Sequence, residues 1–170
     1  MHRTIWLVTV AFAALASGQC DLNAQSAHSA PNDLLERLIG KWRMVGQVRG
    51  QPVTYELETR RILNGAFLEL HMKDVARPAQ YEALVLIGED TLPNHFLVHW
   101  LDSTGGAYSV PSGEGRILGD ALTFDIPYPE APFRDTFFFR RGDGSWIFRL
   151  EASDRHGGWK TFAEYDVKRK

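Results

Sequence analysis

The sequence is poor in the features that most often give a function away. It has a single cysteine, Cys20, among 170 residues. If processing removes the segment that carries it, the mature chain holds no disulfide even where the compartment would permit one, and stability has to come from the core. The longest apolar run, from Ile5 to Ala16, is too short to cross a bilayer as a helix. Charge of one sign is lacking as well. The formal net charge is -2 with acids and bases mixed along the chain, which removes the electrostatic footprint of a nucleic-acid partner. The closing Lys168-Arg169-Lys170 reads as a solvated tail. Local catalytic signatures are missing too: there is no Gly-x-Ser-x-Gly, no His-Glu-x-x-His, no phosphate-binding Gly-Lys-Ser/Thr loop and no calcium loop.

What is present begins with an export signature. Residues 1–24 run from a basic start (His2, Arg3) through the apolar stretch to small residues, the order of a secretory signal. Cleavage fits after Gly18 or after Ala24, and Ala24 is the better residue before a cut. A lipid anchor on Cys20 would need a small residue directly before it, and Gln19 stands there. The expected product is periplasmic or secreted, without a stable membrane anchor. Residues 25–31 read as a flexible leader, and residues 32–170 as one domain, because a chain of this length supports one packed core.

Within that domain, Asn32 suits a helix N-cap, and Leu34, Leu35, Leu38 and Ile39 form a helical apolar stripe that stops at Gly40. Beyond Gly40 the apolar period changes to two. Tyr55 and Leu57 alternate with Glu56 and Glu58, Trp146, Phe148 and Leu150 with Arg149 and Glu151, and Trp159, Thr161, Ala163, Tyr165 and Val167 with Lys160, Glu164 and Asp166. Turn residues cut the pattern at short intervals, among them Gly50-Gln51-Pro52, Leu92-Pro93-Asn94, Gly119-Asp120 and Gly142-Asp143-Gly144. Asn64-Gly65 is the strongest, since a two-residue hairpin turn with positive φ at both positions selects that pair. The pattern predicts an all-β fold of about ten antiparallel strands closed into a barrel, with one short N-terminal helix.

A short helix followed by Gly40-Lys41-Trp42 at the first strand and then a meander resembles the calycin superfamily of lipocalins and fatty-acid-binding proteins. The segments Leu38-Ile39-Gly40-Lys41-Trp42, Arg60 to Leu68 (RRILNGAFL) and Trp100-Leu101-Asp102-Ser103 resemble, more closely, a bacterial family of unknown function, domain of unknown function family 1579. The resemblance spans roughly residues 34–167. It implies a cup-shaped, up-and-down barrel in which Trp42 closes one end under a basic residue of the last strand, Lys168 or Arg169. It implies no established activity. A calycin-like haem family opens on Gly-x-Trp-x-Gly-x-Gly; here Gly40, Trp42 and Gly46 match but Met44 replaces the middle glycine. That departure ranks haem ligation by His156 below the other readings.

Histidine gives little else. His95 and His99 have a metal spacing that works on a helix, but on a strand they would stand about 13 Å apart, and His71 reads as a surface residue of its strand. The sequence asks for no cofactor and no metal. Aromatic residues are more suggestive. Trp42, Tyr55, Trp100, Phe124, Phe137, Phe148 and Trp159 fall on dry faces, where they either fill the core or line a cavity. Arg61 shares the Tyr55 and Leu57 face, and Asp135 and Arg141 share that of Phe133, Phe137 and Phe139. An interior charge needs a partner or a task, and Arg61 paired with Asp135 is the structural alternative. The expected function is binding of a small apolar or amphipathic molecule, with a carboxylate as its polar end, by Trp42, Tyr55, Leu57, Arg61, Trp100, Phe124, Phe137 and Phe148. The alternatives are an enzyme using barrel-mouth residues and a structural or partner-binding protein with a filled core. In 83–87 and 96–98 both strand faces are apolar, so something should cover the outer wall. The helix is preferred to a second subunit, which favours a monomer over a homodimer.

Overall fold

A computed structural model describes residues 30–109, 111–154 and 156–170. The expected signal segment, most of the leader and Cys20 lie outside the described residues. One helix, α1 (Ala30–Leu38), precedes ten strands: β1 (Gly40–Val48), β2 (Gln51–Ile62), β3 (Phe67–Asp74), β4 (Glu82–Glu89), β5 (Phe96–Asp102), β6 (Ser112–Leu118), β7 (Ala121–Ile126), β8 (Phe133–Arg140), β9 (Ser145–Ser153) and β10 (Trp159–Arg169). Each strand pairs antiparallel with its sequence neighbour, and β1 pairs with β10 to close the barrel. The helix starts two residues before Asn32, so Asn32 is not its cap.

Alternation sets the wall. Trp42 and Met44 on β1, Tyr55, Leu57 and Thr59 on β2, and Phe137 and Phe139 on β8 are buried, and the residues between them are more exposed. Cross-strand ion pairs on the outside, such as Arg60 with Glu69 and Arg149 with Glu164, join adjacent strands. One irregularity breaks the parity. The pairing of β10 with β9 shifts between Thr161 and Ala163, so Ala163 and Tyr165 face inward while Trp159 pairs with Ser153. Trp159 therefore leaves the dry face that strict alternation assigns it and lies under the Arg134 guanidinium, 4.3 Å from its ring centre.

The two ends of the barrel differ. Connections 63–66, 90–95, 119–120 and 141–144 lie at the end where β1 begins, and 49–50, 75–81, 103–111, 127–132 and 154–158 lie at the other. At the first end α1 forms a plug. Leu34, Leu35 and Leu38 are buried in the same core as the strand interiors, and Leu38 C=O accepts a hydrogen bond from Trp42 Nε1 at 2.7 Å. Arg169 of β10 stacks on Trp42 at 4.3 Å and donates to the Ile39 carbonyl at 3.2 Å, the arrangement that the family resemblance implied. Glu36 receives Arg61 at 2.6 Å, and the Arg37 guanidinium lies 5.4 Å from the Phe139 ring centre.

Two expectations are corrected here. The helix seals the barrel end and does not cover the wall of β4 and β5, where Leu84, Leu97 and Leu101 remain exposed. The preference for a monomer rested on that cover and loses its argument. The Asn64-Gly65 turn is also longer than two residues: a short 3-10 segment, Leu63–Gly65, joins β2 to β3, with positive φ at Leu63 and Asn64 as well as Gly65.

Closure has a steric condition at Gly46, where a Cβ would fall on the Glu164 carbonyl of the facing β10 backbone. Gly46→Ala should cost about 1–3 kcal/mol or more in denaturant unfolding, the range for forced overpacking, and should speed amide exchange along β1 and β10. Gly142→Ala, which meets nothing within 4 Å, should be near neutral. Equal stability of the two variants would contradict this view of the seam.

Candidate functional site

The interior is packed unevenly along its axis. Toward the plug the rings close on one another: Phe137 and Phe148 stack with centroids 3.8 Å apart and Phe139 lies 4.9 Å from Trp146, while Trp100 stacks on Phe148 at 6.3 Å from the side of the opposite end. Toward the opposite end the side chains become amphipathic. Tyr55 lies 5.7 Å from both Tyr81 and Tyr165. Tyr128 packs edge-on against Phe133, and Phe133 against Phe162, with Arg49 over the Phe162 ring at 4.8 Å. Tyr81, Tyr128, Phe133 and Phe162 are only partly buried and form the rim.

Hydrogen bonds fix part of this ring. Trp100 Nε1 donates to the Tyr81 hydroxyl at 3.2 Å, and Tyr81 donates to Asp102 Oδ2 at 3.0 Å. Asp102 Oδ1 accepts the Thr104 amide at 2.9 Å, so the carboxylate is held from its own turn. The Tyr55 and Tyr165 hydroxyls interact with each other. Burial raises Tyr81 and Tyr165 well above the ordinary tyrosine range and pushes Tyr128 up to about 12, with Asp135 and Asp102 adding to the effect at Tyr128. All these hydroxyls keep their protons at neutral pH.

Asp135 is the exception among the interior side chains. It lies on β8 between Phe124 of β7 and Leu150 of β9 in the ladder, is 3% exposed, and its Oδ1 has no hydrogen-bond partner among the described residues. Thr59 Oγ1, Trp146 Nε1 and Arg140 Nε are also buried without partners among the described residues, but the first two belong to uncharged groups and the Arg140 guanidinium is paired with Asp166 through its Nη2. An unpaired buried carboxylate costs so much that the group neutralises instead. Desolvation, with a smaller push from Asp125, raises Asp135 to about 8.

The residues singled out from the sequence are divided by this geometry. Tyr55, Trp100, Phe137 and Phe148 belong to one connected set through Tyr165 and Phe148, and Phe124 is the ladder partner of Asp135. Trp42 lies fully buried under the helix, with Leu57 beside it in the β1–β2 ladder. Arg61 shares the interior parity but stands at the plugged end. It bonds Glu36 and not Asp135, which corrects the alternative pairing, and Arg141 pairs with Asp120 at 2.6 Å. His71 bonds Glu82 on the outside, His95 bonds Asp90, and His156 is exposed in the β9–β10 turn. Among the described residues no group of three or more His, Cys, Asp or Glu could hold a metal ion. Sequence reasoning missed Tyr81 and Tyr128, which lie in connections beside Pro78 and Pro129, where alternation does not reach.

Two grooves also mark the outer wall. They are lined by outward residues such as Val45, Gln47 and Glu164 in one and Glu114, Arg116 and Asp125 in the other. Neither is lined by Asp135, Tyr81 or Tyr128; Asp135 shares the buried parity of Phe137 and Phe139 on β8.

A closed antiparallel barrel plugged at one end and ringed by tyrosines at the other is a calycin-like architecture. Residues 27–169 match the family model described as protein of unknown function (DUF1579), and the chain belongs to that family. Its fold is similar to the solved structure of Rv2717c from M. tuberculosis, with a TM-score of 0.58 at 13% identity over 84% of this chain and 98% of that one. At that identity the likeness concerns the fold alone. No curated protein matches the chain.

The raised Asp135 carboxyl has a consequence for stability. Between about pH 4 and about pH 8 the unfolded chain has released this proton and the folded chain still holds it. The unfolded state then binds fewer protons, so this group's contribution falls as pH rises through that window and levels above it. Asp135→Asn removes the titration. The melting temperature of the variant minus that of the parent should therefore move steadily in the variant's favour from about pH 5 to about pH 8. A constant or shrinking difference would contradict the assignment.

Proposed function

We propose that this protein is an exported binder of a small amphipathic molecule, held at the open end of the barrel. The observation that carries the reading is the Asp135 oxygen, buried without a partner among the described residues and acting on Tyr128 and Tyr165. Folding leaves buried polar groups unsatisfied only rarely, and a hydrogen-bonding ligand is the partner that a barrel mouth can admit. The ring stack around Phe137 and Phe148 limits how deep such a molecule reaches. Its apolar body lies among Tyr55, Trp100 and Phe124, and its polar end meets the tyrosine hydroxyls and Asp135. A carboxylate anchored by Arg61 is disfavoured, because Arg61 is engaged by Glu36 at the plugged end, and an anion in the mouth would face Asp102 and Asp135.

A second reading, a structural protein with a filled core, is favoured by the 3.8 Å stack of Phe137 on Phe148. Mass spectrometry of protein exported by its own host separates the two and tests export with the same sample. The expected denatured mass lacks about the first 24 residues and carries no lipid. The native mass should show an adduct that unfolding releases, retained by Arg61→Ala, whose only loss should be a few degrees of melting temperature. A diacyl mass on Cys20 would contradict export without an anchor, and an adduct-free native spectrum would favour the filled core.

A further inference from the structure

The charged side chains that act on the tyrosines of this end and on Asp135 are all carboxylates. Asp74 acts on Tyr55, Asp102 on Tyr81 and Tyr128, Asp135 on Tyr128 and Tyr165, and Asp125 on Asp135. No cationic side chain is among the groups that act on these five residues. The nearby guanidiniums are occupied on rings at the edge, Arg49 on Phe162 and Arg134 on Trp159, and Arg134 also bonds Asp125. This end thus combines carboxylates, aromatic rings that are buried or partly buried, and one carboxyl oxygen without a donor among the described residues.

Resting on the binding reading above, we infer that the site selects a cationic ligand, an organic ammonium or amidinium on a flat apolar body, whose N–H donates to Asp135 Oδ1. The chemistry fits in three respects. A charged N–H donor to a carboxylate makes a charge-assisted bond, stronger than a neutral one. Tyrosine and tryptophan rings attract a cation through their π faces, more so when water is excluded. An ion pair also removes the penalty that keeps Asp135 protonated, because the arriving positive charge favours the carboxylate.

The proton follows from this. In the empty protein near pH 7 the Asp135 carboxyl is mostly protonated, held up by burial, and the ammonium displaces that proton to solvent as the N–H···O bond forms. Affinity for a permanently protonated amine should rise with pH and level off above about 8. The groups that face Asp135 are Phe124 from β7, Leu150 from β9, Tyr165 from β10 and Tyr128 from the β7–β8 connection, and the other charge that acts on it is Asp125, exposed on the outer face and paired with Arg134. Both tyrosines are raised by burial and stay neutral over that range, which leaves Asp135 as the group that titrates.

Calorimetric titration of the purified protein with three matched probes tests the inference: 1-naphthylmethylammonium, the neutral 1-naphthylmethanol and the anionic 1-naphthylacetate. The ammonium should bind about tenfold or more tightly than the alcohol, the range expected of a charge-assisted bond, and the acetate should bind most weakly. Asp135→Asn should erase the preference for the ammonium and change alcohol binding by less than about threefold. Should that variant fold poorly, the parent protein alone decides. Its ammonium affinity should climb from about pH 6 to about pH 8 with release of a proton, while alcohol binding stays flat. If the alcohol binds as well as the ammonium, or the acetate binds best, the cation preference is overturned and the binding site stands. If none of the three binds, the site reading fails with it.

Discussion

The seam between β1 and β10 is the constraint on which the rest of the molecule depends. It joins the first strand to the last, and the close approach at Gly46 lets the two backbones meet where a larger residue would hold them apart. Once the seam is formed, Arg169 arrives over Trp42 at one end and Tyr165 arrives beside Tyr55 toward the other. The plug and part of the tyrosine ring are therefore consequences of the same closure. A sheet of ten strands left open would have two edges to protect, and the short helix could not seal it.

The plug in turn divides the interior into two environments. Near α1 the aromatic and aliphatic side chains pack on one another, with Trp42 Nε1 bonded to the Leu38 carbonyl and Arg61 to Glu36, while the uncharged Thr59 Oγ1 and Trp146 Nε1 stay without partners among the described residues. At the opposite end the hydroxyls of Tyr55, Tyr81, Tyr128 and Tyr165 meet carboxyl groups and no interior cation. Burial drives the protonation of these groups upward together, because each charged form would be poorly solvated. Among these groups the Asp135 carboxyl is the one whose raised pKa falls near neutrality. A Val or Leu there would pack with Phe124 and Leu150 without the desolvation cost, so a carboxyl at this position points to recognition more than to stability.

Much of the fold could be read from the residues themselves. Alternation between Gly40 and Val167 marks the strands, the Gly, Pro, Asn and Asp breaks set their number, and the resemblance placed Trp42 under a basic residue of the last strand. Parity along a strand tells inward from outward but not which end of the barrel a residue occupies. That is why the sequence puts Arg61 on the Tyr55 face but hides its partner, Glu36, in the helix, and why the apolar stripe on α1 fits a cover for the wall as well as a plug for the end. Pairing shifts are equally silent in sequence, and the one in β10 turns Trp159 outward. Tyr81 and Tyr128 sit in connections that carry no period, so the ring they help to form appears only once the barrel closes. Asp135 stood out early as a charge on a dry face, and its lack of a protein partner is what the structure adds.

Nuclear magnetic resonance titration of the Asp135 side-chain carboxyl in the ligand-free protein tests the central claim most directly, with Asp135→Asn supplying the assignment. A carboxyl that is buried without a partner in the barrel mouth should titrate with a midpoint near 8. A midpoint near the ordinary value of about 4 would mean that solvent or a protein donor already serves it, and the ligand site argued from it would not stand.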